Sequence, residues 1–395
     1  MGPEPTPSTV DAESERTKRI FGWVSFFQDL GSKMVVPILP LFLTEVLGAP
    51  PVAVGLSDGV ADASASVSSS VGGRLADKGK PVLLTRIGYG LSSASKLLIA
   101  FVWWWPTVIA LRITDRVGKG VRDAPRDVLL ARRTKGTGAA FGFQQAMDKA
   151  GGTLGPLLGL AVFEVAGQQY RPVFVAAFVP CAISVGLLWL LRGDRRTPHR
   201  ERPLEQPAPT PLGSAFWWRI APFAMLGVAR LGDGLMILRT ERLGASTVAI
   251  LLSFSAMRAV NAAGAVPIGH LTDRVRPAAL IALGGAALAG VQVALSVASP
   301  EVALWLLMPA MGLVDPLLRT PTKLAILDAA GPEQRGRGLG DAQAAIGIAS
   351  LVIAVAAGLA WDGSGSIPFA AAGIVTSIGA IWSASRLRRP VQPSV

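Results

Sequence analysis

Long apolar runs alternate with short polar segments along most of this 395-residue chain. A helix rises about 1.5 Å per residue, so about 20 apolar residues cross the hydrocarbon core of a bilayer. The runs lie near 20–42, 52–75, 82–104, 107–121, 141–165 and 173–191, then near 220–238, 248–271, 278–298, 302–313, 339–360 and 367–385. They predict an all-α membrane protein with about twelve transmembrane helices.

The composition and the distribution of charge are also those of a membrane protein. Only 16% of the residues are charged, against about 25% in a soluble domain. The net charge of +12 would also suit a nucleic-acid-binding protein, but the basic residues lie mainly in alternate loops. Such a distribution is typical of topology determinants, so we expect no nucleic-acid partner. The positive-inside rule then predicts a multi-pass protein of the cell membrane with both termini in the cytoplasm.

One charged loop occurs twice, at a constant offset of 196 residues. The two copies are Gly73-Arg74-Leu75-Ala76-Asp77-Lys78-Gly79-Lys80-Pro81 and Gly269-His270-Leu271-Thr272-Asp273-Arg274-Val275-Arg276-Pro277. An internal repeat of this kind predicts two homologous halves. We expect six-helix bundles at 20–191 and 214–385, a Pro-rich cytoplasmic linker at 192–213, and cytoplasmic tails at 1–19 and 386–395.

The repeated loop resembles the conserved loop between helices two and three of the major facilitator superfamily. The stretch Arg112-Ile113-Thr114-Asp115-Arg116-Val117-Gly118 is similar to the charged motif of that family's fourth helix. In the fifth helix, Gly151, Gly155, Pro156 and Gly159 resemble the motif of its antiporters. The resemblance, closest to bacterial drug/proton antiporters, implies two six-helix bundles that rock about a central site and carry small molecules, with a preference for export.

The same resemblance implies a conformational latch on the cytoplasmic side. A carboxylate in the repeated loop would meet a helix N-terminus or nearby basic residues and hold one state until the halves rock. The residues are Gly73, Asp77, Lys78, Arg122, Asp127, Gly269, Asp273 and Arg274. The alternative is that the loop charges are solvated and only fix the orientation of the chain.

Four acids within the apolar runs are candidates for proton coupling: Asp29, Asp58, Asp62 and Asp148. Charge inside a membrane is costly, so each is a functional hypothesis. Asp29 lies four residues before Lys33, and the two could instead form a neutral pair that supports packing. Asp58 and Asp62 share a helix face, where two nearby carboxylates resist double ionisation. Alternatively, Asp58 is simply hydrated near the outer end of its helix.

The candidates for a substrate cavity are Lys33, Lys96, Arg112, Asp115, Arg230, Asp233, Asn261 and Asp315. Lys96 has no acid within one helical turn. Its partner must therefore come from another helix, or its side chain extends to the membrane interface. For every one of these residues, an interhelical structural pair is the alternative to a substrate contact.

The chain has only two histidines and one cysteine, which argues against a metal site built from these residues. The sequence also has no phosphate-binding loop and no nucleophile motif. We therefore expect no enzyme activity, no cofactor and no metal. The sequence predicts a monomeric secondary transporter that couples protons to the export of a small amphiphilic or drug-like molecule. Proton-coupled uptake of a nutrient or siderophore is the alternative within transport, and a non-transporting receptor is the alternative outside it.

Overall fold

The computed structural model describes residues 7–76, 81–134, 137–191, 212–272, 274–331 and 334–385. Most of these residues are helical, short turns and irregular segments connect the helices, and none of the described residues lies in a strand. The main helices are α1 (Pro7–Val35), α2 (Pro51–Ala76), α3 (Pro81–Ile99), α4 (Trp105–Arg133), α5 (Thr137–Val165), α6 (Tyr170–Trp189), α7 (Ser214–Ala229), α8 (Asp233–Arg242), α9 (Thr247–Thr272), α10 (Pro277–Val297), α11 (Met308–Ala330), α12 (Arg335–Leu359) and α13 (Ser366–Ser385). The predicted all-α fold is confirmed.

Eight helical segments of the described ranges are long and apolar enough to cross a membrane. The helices outside this set are α2 to α5, which correspond to the second to fifth predicted spans. They carry Asp58, Lys96, Arg112 and Asp148 among other charged residues. Because intramembrane charge is expensive, it concentrates where the bundle can surround it with other helices.

The first of two compact units consists of Met1–Phe42 and Ser64–Pro198. Within its described part, α1 packs against α5 and α6, and α3 packs against α4 and α6. One end of this unit has an apolar core that includes Phe21, Val24 and Leu130. Deeper in the unit, the Gln28 amide donates to the Ser92 hydroxyl at 3.2 Å and accepts from the Ser184 hydroxyl at 2.9 Å, so polar contacts join α1, α3 and α6.

The second compact unit consists of Leu43–Ala63 and His199–Val395. Here α7 packs against α12 and α13, and α10 packs against α11 and α13. If α7 and α8 together count as the first helix of the second half, both units pair their first helix with the fifth and sixth, and their third with the fourth and sixth. The same pairs are expected of a duplicated six-helix bundle. The predicted domain boundaries themselves stay a prediction.

Two helices of the second half differ from the apolar runs that predicted them. The run at 220–238 is divided, because α7 ends at Ala229 and α8 begins at Asp233 after the extended N-cap residue Gly232. The run at 302–313 ends too early, since α11 continues through Asp315 to Ala330. An apolar pattern cannot predict either feature. Charged residues interrupt the pattern without ending α11, and the backbone break between α7 and α8 leaves the pattern unchanged.

Candidate functional site

A line of basic side chains follows one face of α4. Arg112, Arg116, Lys119, Arg122 and Arg126 succeed one another at intervals of three or four residues. Residues at this spacing are neighbours on a helix surface. At 1.5 Å per residue, the line from first to last extends for about 21 Å. This face of α4 is the positive wall of the site described below.

Close packing between α3 and α4 brings this wall against α3. A Cβ atom built on Gly88 would lie 2.5 Å from the Gly118 carbonyl oxygen, and one built on Gly118 would lie 2.7 Å from the Gly88 oxygen. Only glycine lets two helix backbones approach so closely. The polar side chains of α3 are therefore within reach of the charges on α4.

Lys96 of α3 and Asp115 of α4 form a buried ion pair. The Lys96 Nζ donates to Asp115 Oδ1 at 2.7 Å, and the two side chains are only 4% and 12% exposed. The Ser92 hydroxyl donates to the same carboxylate oxygen. The partner of Lys96 thus comes from another helix, and the lysine does not extend to the interface. Arg112 and Arg116 each lie 4.0 Å from the other oxygen of Asp115, so three cations surround one carboxylate.

The first cavity lies among α1, α3 and α4 within the first compact unit. It is lined by Asp29, Ser32, Lys33, Val35, Val36, Ser92, Lys96, Ile99, Arg112, Asp115, Arg116, Lys119 and Arg122. Six of these side chains are cationic and two are carboxylates. Water-sized molecules have about 30 Å³ for their centres, which is room for about two waters.

A second, larger cavity shares Asp29, Lys119 and Arg122 with the first. Its space for water-sized molecules is about 200 Å³. The remaining lining residues are Ser25, Gln28, Tyr89, Asp123, Arg126, Asp127, Phe141, Gln144, Gln145 and Asp148. The two cavities are therefore adjacent parts of one charged site.

Two predicted proton-coupling residues, Asp29 and Asp148, both line the second cavity although they come from α1 and α5. Within the described part of the chain, neither carboxylate has an ion-pair partner within 4.0 Å. Lys33 lines the first cavity together with Asp29. A shared helix face brings two side chains near one another without forcing them into contact.

The antiporter-like glycines bring these two acids together. Gly151, Gly155 and Gly159 lie against Phe26, Leu30 and Met34 of α1, one helical turn after another. A Cβ atom on Gly155 would lie 2.6 Å from the Leu30 carbonyl oxygen, so the two backbones are in contact there. Pro156 is buried in the same turn. This contact fixes α5 directly against α1 and sets Asp148 beside the cavity that Asp29 also faces.

Arg122 lies at the junction of the two cavities and is only 5% exposed. Its guanidinium carbon is 4.2 Å from the centroid of the Tyr89 ring, and its Nε is 3.6 Å from Asp123 Oδ1. Among the described residues, nothing accepts a hydrogen bond from its Nε or Nη1. A guanidinium offers five N–H donors, so this side chain keeps a capacity to bind an acceptor.

The predicted latch is only partly visible. Asp77, Lys78 and Asp273 lie outside the described residues. Gly73 is in the last turn of α2, Gly269 is near the end of α9 with open space around it, and Arg274 is exposed. The Asp127 carboxylate accepts a hydrogen bond from Arg126 at 2.9 Å. The latch therefore stays a prediction.

The second compact unit has its own polar cluster around Asp315. The Asp315 carboxylate binds Arg230 at 2.7 Å and Arg319 at 3.2 Å, and it accepts a hydrogen bond from the Asn261 amide at 3.3 Å. Arg230 also lies 3.7 Å from Asp233. The cluster contains the four substrate-cavity candidates of the second half, and its central carboxylate is held by two arginines.

Asp58 binds the start of α8. Its Oδ2 accepts a hydrogen bond at 2.8 Å from the backbone amide of Gly234, in the first turn of that helix. Helix N-termini present free N–H groups and a partial positive charge, which suits a carboxylate. Asp58 is thus engaged in a specific contact with α8, and Asp62 lies one turn later on α2 with an exposed side chain. Simple hydration of Asp58 is not what the structure shows.

Sequence reasoning missed several residues of the site. Gln28, Tyr89 and Gln144 line the larger cavity, yet none of them belongs to a motif or a distinctive spacing in the sequence. Their only signal was a hydrogen-bonding group at membrane depth. The described residues contain no group of three or more metal-ligating side chains.

Comparisons with known proteins show the family. The model of the Major Facilitator Superfamily matches residues 21–340. An uncharacterised MFS-type transporter of Methanocaldococcus jannaschii is 24% identical over 372 residues, which cover 91% of this chain and 92% of the relative. A nitrite extrusion protein of Bacillus subtilis is 26% identical over 171 residues, 42% of each chain. Among solved structures, the nucleoside transporter NupG superposes with a TM-score of 0.76 at 14% identity, covering 95% of this chain and 100% of that one.

The family model covers residues 21–340 and the Methanocaldococcus jannaschii relative covers 91% of the chain, and both agree with the all-helical fold and its candidate membrane spans. The protein is a multi-pass membrane transporter and not an enzyme. The chain belongs to the major facilitator superfamily.

Proposed function

We propose that this transporter couples the movement of protons to the export of a small amphiphilic molecule. One observation carries the proposal: Asp29 and Asp148, from two different helices, line a single cavity and have no ion-pair partner among the described residues. Neighbouring carboxylates do not readily ionise together, so such a pair exchanges a proton in response to its surroundings. A carboxylate already held by arginines has no comparable freedom.

In the mechanism that we propose, the acid pair takes up a proton from outside and substrate leaves there. The two halves then rock about the site, and loss of the proton inside restores affinity for substrate. Such a cycle works only if substrate and proton bind the two states unequally. The direct backbone contact between α1 and α5 makes Asp29 and Asp148 move together with the helix pair that holds them.

The export direction is supported by the glycine motif of α5 and by the name of the relative from Bacillus subtilis, an extrusion protein. We further propose a monomer in the cell membrane, with both termini in the cytoplasm and with the Asp77 and Asp273 loops as latches on that side. The first alternative is proton-coupled uptake, which would use the same residues with the substrate moving inward. The second is a receptor, which would have the same fold but transport no substrate.

Purified protein in proteoliposomes with an imposed pH gradient tests this proposal. A trapped pH-sensitive dye reports proton movement after addition of benzenesulfonate, benzenesulfonamide or benzyltrimethylammonium, which share one ring and differ in charge. We expect at least one probe to cause proton flux, and the substitutions D29N and D148N to abolish it. The matched control is E301Q, which changes an exposed acid between α10 and α11.

The direction of the gradient that drives the probe distinguishes export from uptake. Proton-linked flux that survives in both acid variants would contradict the assignment of the proton site. Absence of flux with all three probes, from protein that is folded and correctly inserted, would favour the receptor.

A further inference from the structure

We infer that the first cavity recognises a negatively charged group, so that the transported molecule is a small organic anion. The inference rests on the proposed transport function and specifies its substrate class. It starts from the charges that line the cavity. The six cations are Lys33, Lys96, Arg112, Arg116, Lys119 and Arg122, against the two carboxylates Asp29 and Asp115.

The carboxylate of Asp115 does little to balance this excess, because it is already bound to Lys96 at 2.7 Å. Arg112 and Arg116 approach the same carboxylate at 4.0 Å, so one acid is shared by three of the six cations. Buried cations are costly unless an opposite charge accompanies them. A site of this composition repels cationic ligands and gains most from an anion.

Unused donors point to where that anion binds. Arg122 is 5% exposed and lines both cavities; its Nε is in an ion pair with Asp123 at 3.6 Å, but neither Nε nor Nη1 donates a hydrogen bond to a described residue. The buried Nε of Arg116 also lacks a hydrogen bond within the described ranges. Planar guanidinium groups bind carboxylate, sulfonate or phosphate oxygens through parallel N–H donors. An uncharged ligand would bind these guanidinium donors more weakly than an anion would.

The sizes of the two cavities indicate which part of the ligand each cavity would hold. The first cavity, with room for about two waters, matches a single anionic head group. The second has about 200 Å³, and its lining combines Tyr89, Phe141 and the amides of Gln144 and Gln145 with charged groups of both signs, including the carboxylates of Asp29, Asp123, Asp127 and Asp148. We therefore place the charged group at Arg122 and the polar or aromatic remainder in the larger cavity.

A cysteine placed in the first cavity tests this inference without knowledge of the natural substrate. Ser32 lines that cavity, and the one native cysteine, Cys181, is buried. In full-length purified S32C protein that also carries C181A, we expect a negatively charged thiosulfonate reagent to react faster than a positively charged one. The ratio should be on the order of tenfold or more, because several unit charges lie within one reagent length.

Protection by a ligand adds a second readout. At constant ionic strength, benzenesulfonate should slow modification of S32C several-fold, whereas the neutral, equally shaped benzenesulfonamide should not. R122Q should remove both the protection and most of the rate difference, and R122K should restore part of each. The matched control R19Q, at an exposed arginine of α1, should change neither.

Equal rates with the two reagents would overturn the inference, as would protection by the amide alone. Protection by chloride as strong as that by benzenesulfonate would also overturn it, since the cavity would then hold a counter-ion only. If R122Q does not fold, the inference is decided by the ratio of the two reagent rates in S32C and by the effect of R122K on that ratio and on protection. Anion protection without proton-linked flux would sink the proposed function alone. Flux of the neutral or cationic probe without anion protection would sink this inference alone.

Discussion

The ion pair between Lys96 and Asp115 allows a demanding test of how charge is arranged in the first compact unit. We consider the substitution D115N, which keeps the shape of the side chain and removes its charge. Lys96 would keep its hydrogen bonds to the Ser92 carbonyl at 3.0 Å and hydroxyl at 2.9 Å. It would lose a carboxylate at 2.7 Å, and Arg112 and Arg116 would lose the same carboxylate at 4.0 Å.

The magnitude follows from distance and burial. At an effective dielectric constant of about 20, two unit charges 2.7 Å apart attract by about 6 kcal/mol. Desolvation of the pair offsets part of this attraction. Removing one partner of a buried pair nevertheless leaves the other charge uncompensated, which costs about 3–5 kcal/mol. We expect D115N to lower the free energy of unfolding by an amount in that range.

The assay is equilibrium unfolding of the purified full-length chain in detergent, followed by tryptophan fluorescence. K96M and the double variant K96M/D115L complete a thermodynamic cycle. The double variant should be less destabilised than D115N, because it removes both charges of the pair together. The control is D328N, which changes an exposed acid of α11 and should alter stability by less than about 0.5 kcal/mol.

The reasoning would be refuted by a D115N variant within about 1 kcal/mol of the parent. Strictly additive effects of the two single changes would refute it as well, since they would mean that Lys96 and Asp115 are not coupled.

Three further predictions concern other contacts. D58A should cost about 1–2 kcal/mol of unfolding free energy, because the amide in the first turn of α8 loses its acceptor; unchanged hydrogen exchange at that turn would contradict it. G155V should cost about 1–3 kcal/mol or slow transport by separating α1 from α5, whereas G142V, where a side chain has open space, should change neither stability nor flux. R239Q should lower the thermal midpoint more than R242Q, because Arg239 is 2% exposed and donates to three carbonyl groups; equal midpoints would exclude that role.

The apolar pattern predicted the fold well because lipid leaves the backbone few choices. Every N–H and C=O group in the hydrocarbon region must be satisfied within the chain, so a long apolar run becomes a helix. The pattern performed less well where the chain breaks a helix inside an apolar run. Between α7 and α8, the N-cap residue Gly232 is extended, and Asp58 accepts a hydrogen bond from Gly234 in the next turn. The contact joins residues 176 positions apart, so no local spacing in the sequence could predict it.

Local spacing also misjudged which charges meet. It placed Asp29 and Lys33 on one face of α1, and both side chains line the first cavity. The strong pairs are Lys96 with Asp115 and Arg230 with Asp315, each between separate helices. A sequence shows that buried charges exist and that they need partners. It does not show which partner the packing brings near.

The carboxylates of the two compact units have different surroundings, and this difference supports our proposal that protons exchange in the first unit. Asp315 is held by two arginines and an asparagine amide, so protonation would break several contacts at once. Asp29 and Asp148 have no such contacts among the described residues, and glycine packing of α1 on α5 keeps them at one cavity. In the proposed cycle, a proton would therefore bind and leave there without breaking an ion pair. Arg122 borders the same cavity, so the charge on the acid pair would act directly on an anion bound at that arginine. Proton binding and anion binding would then be coupled by charge alone.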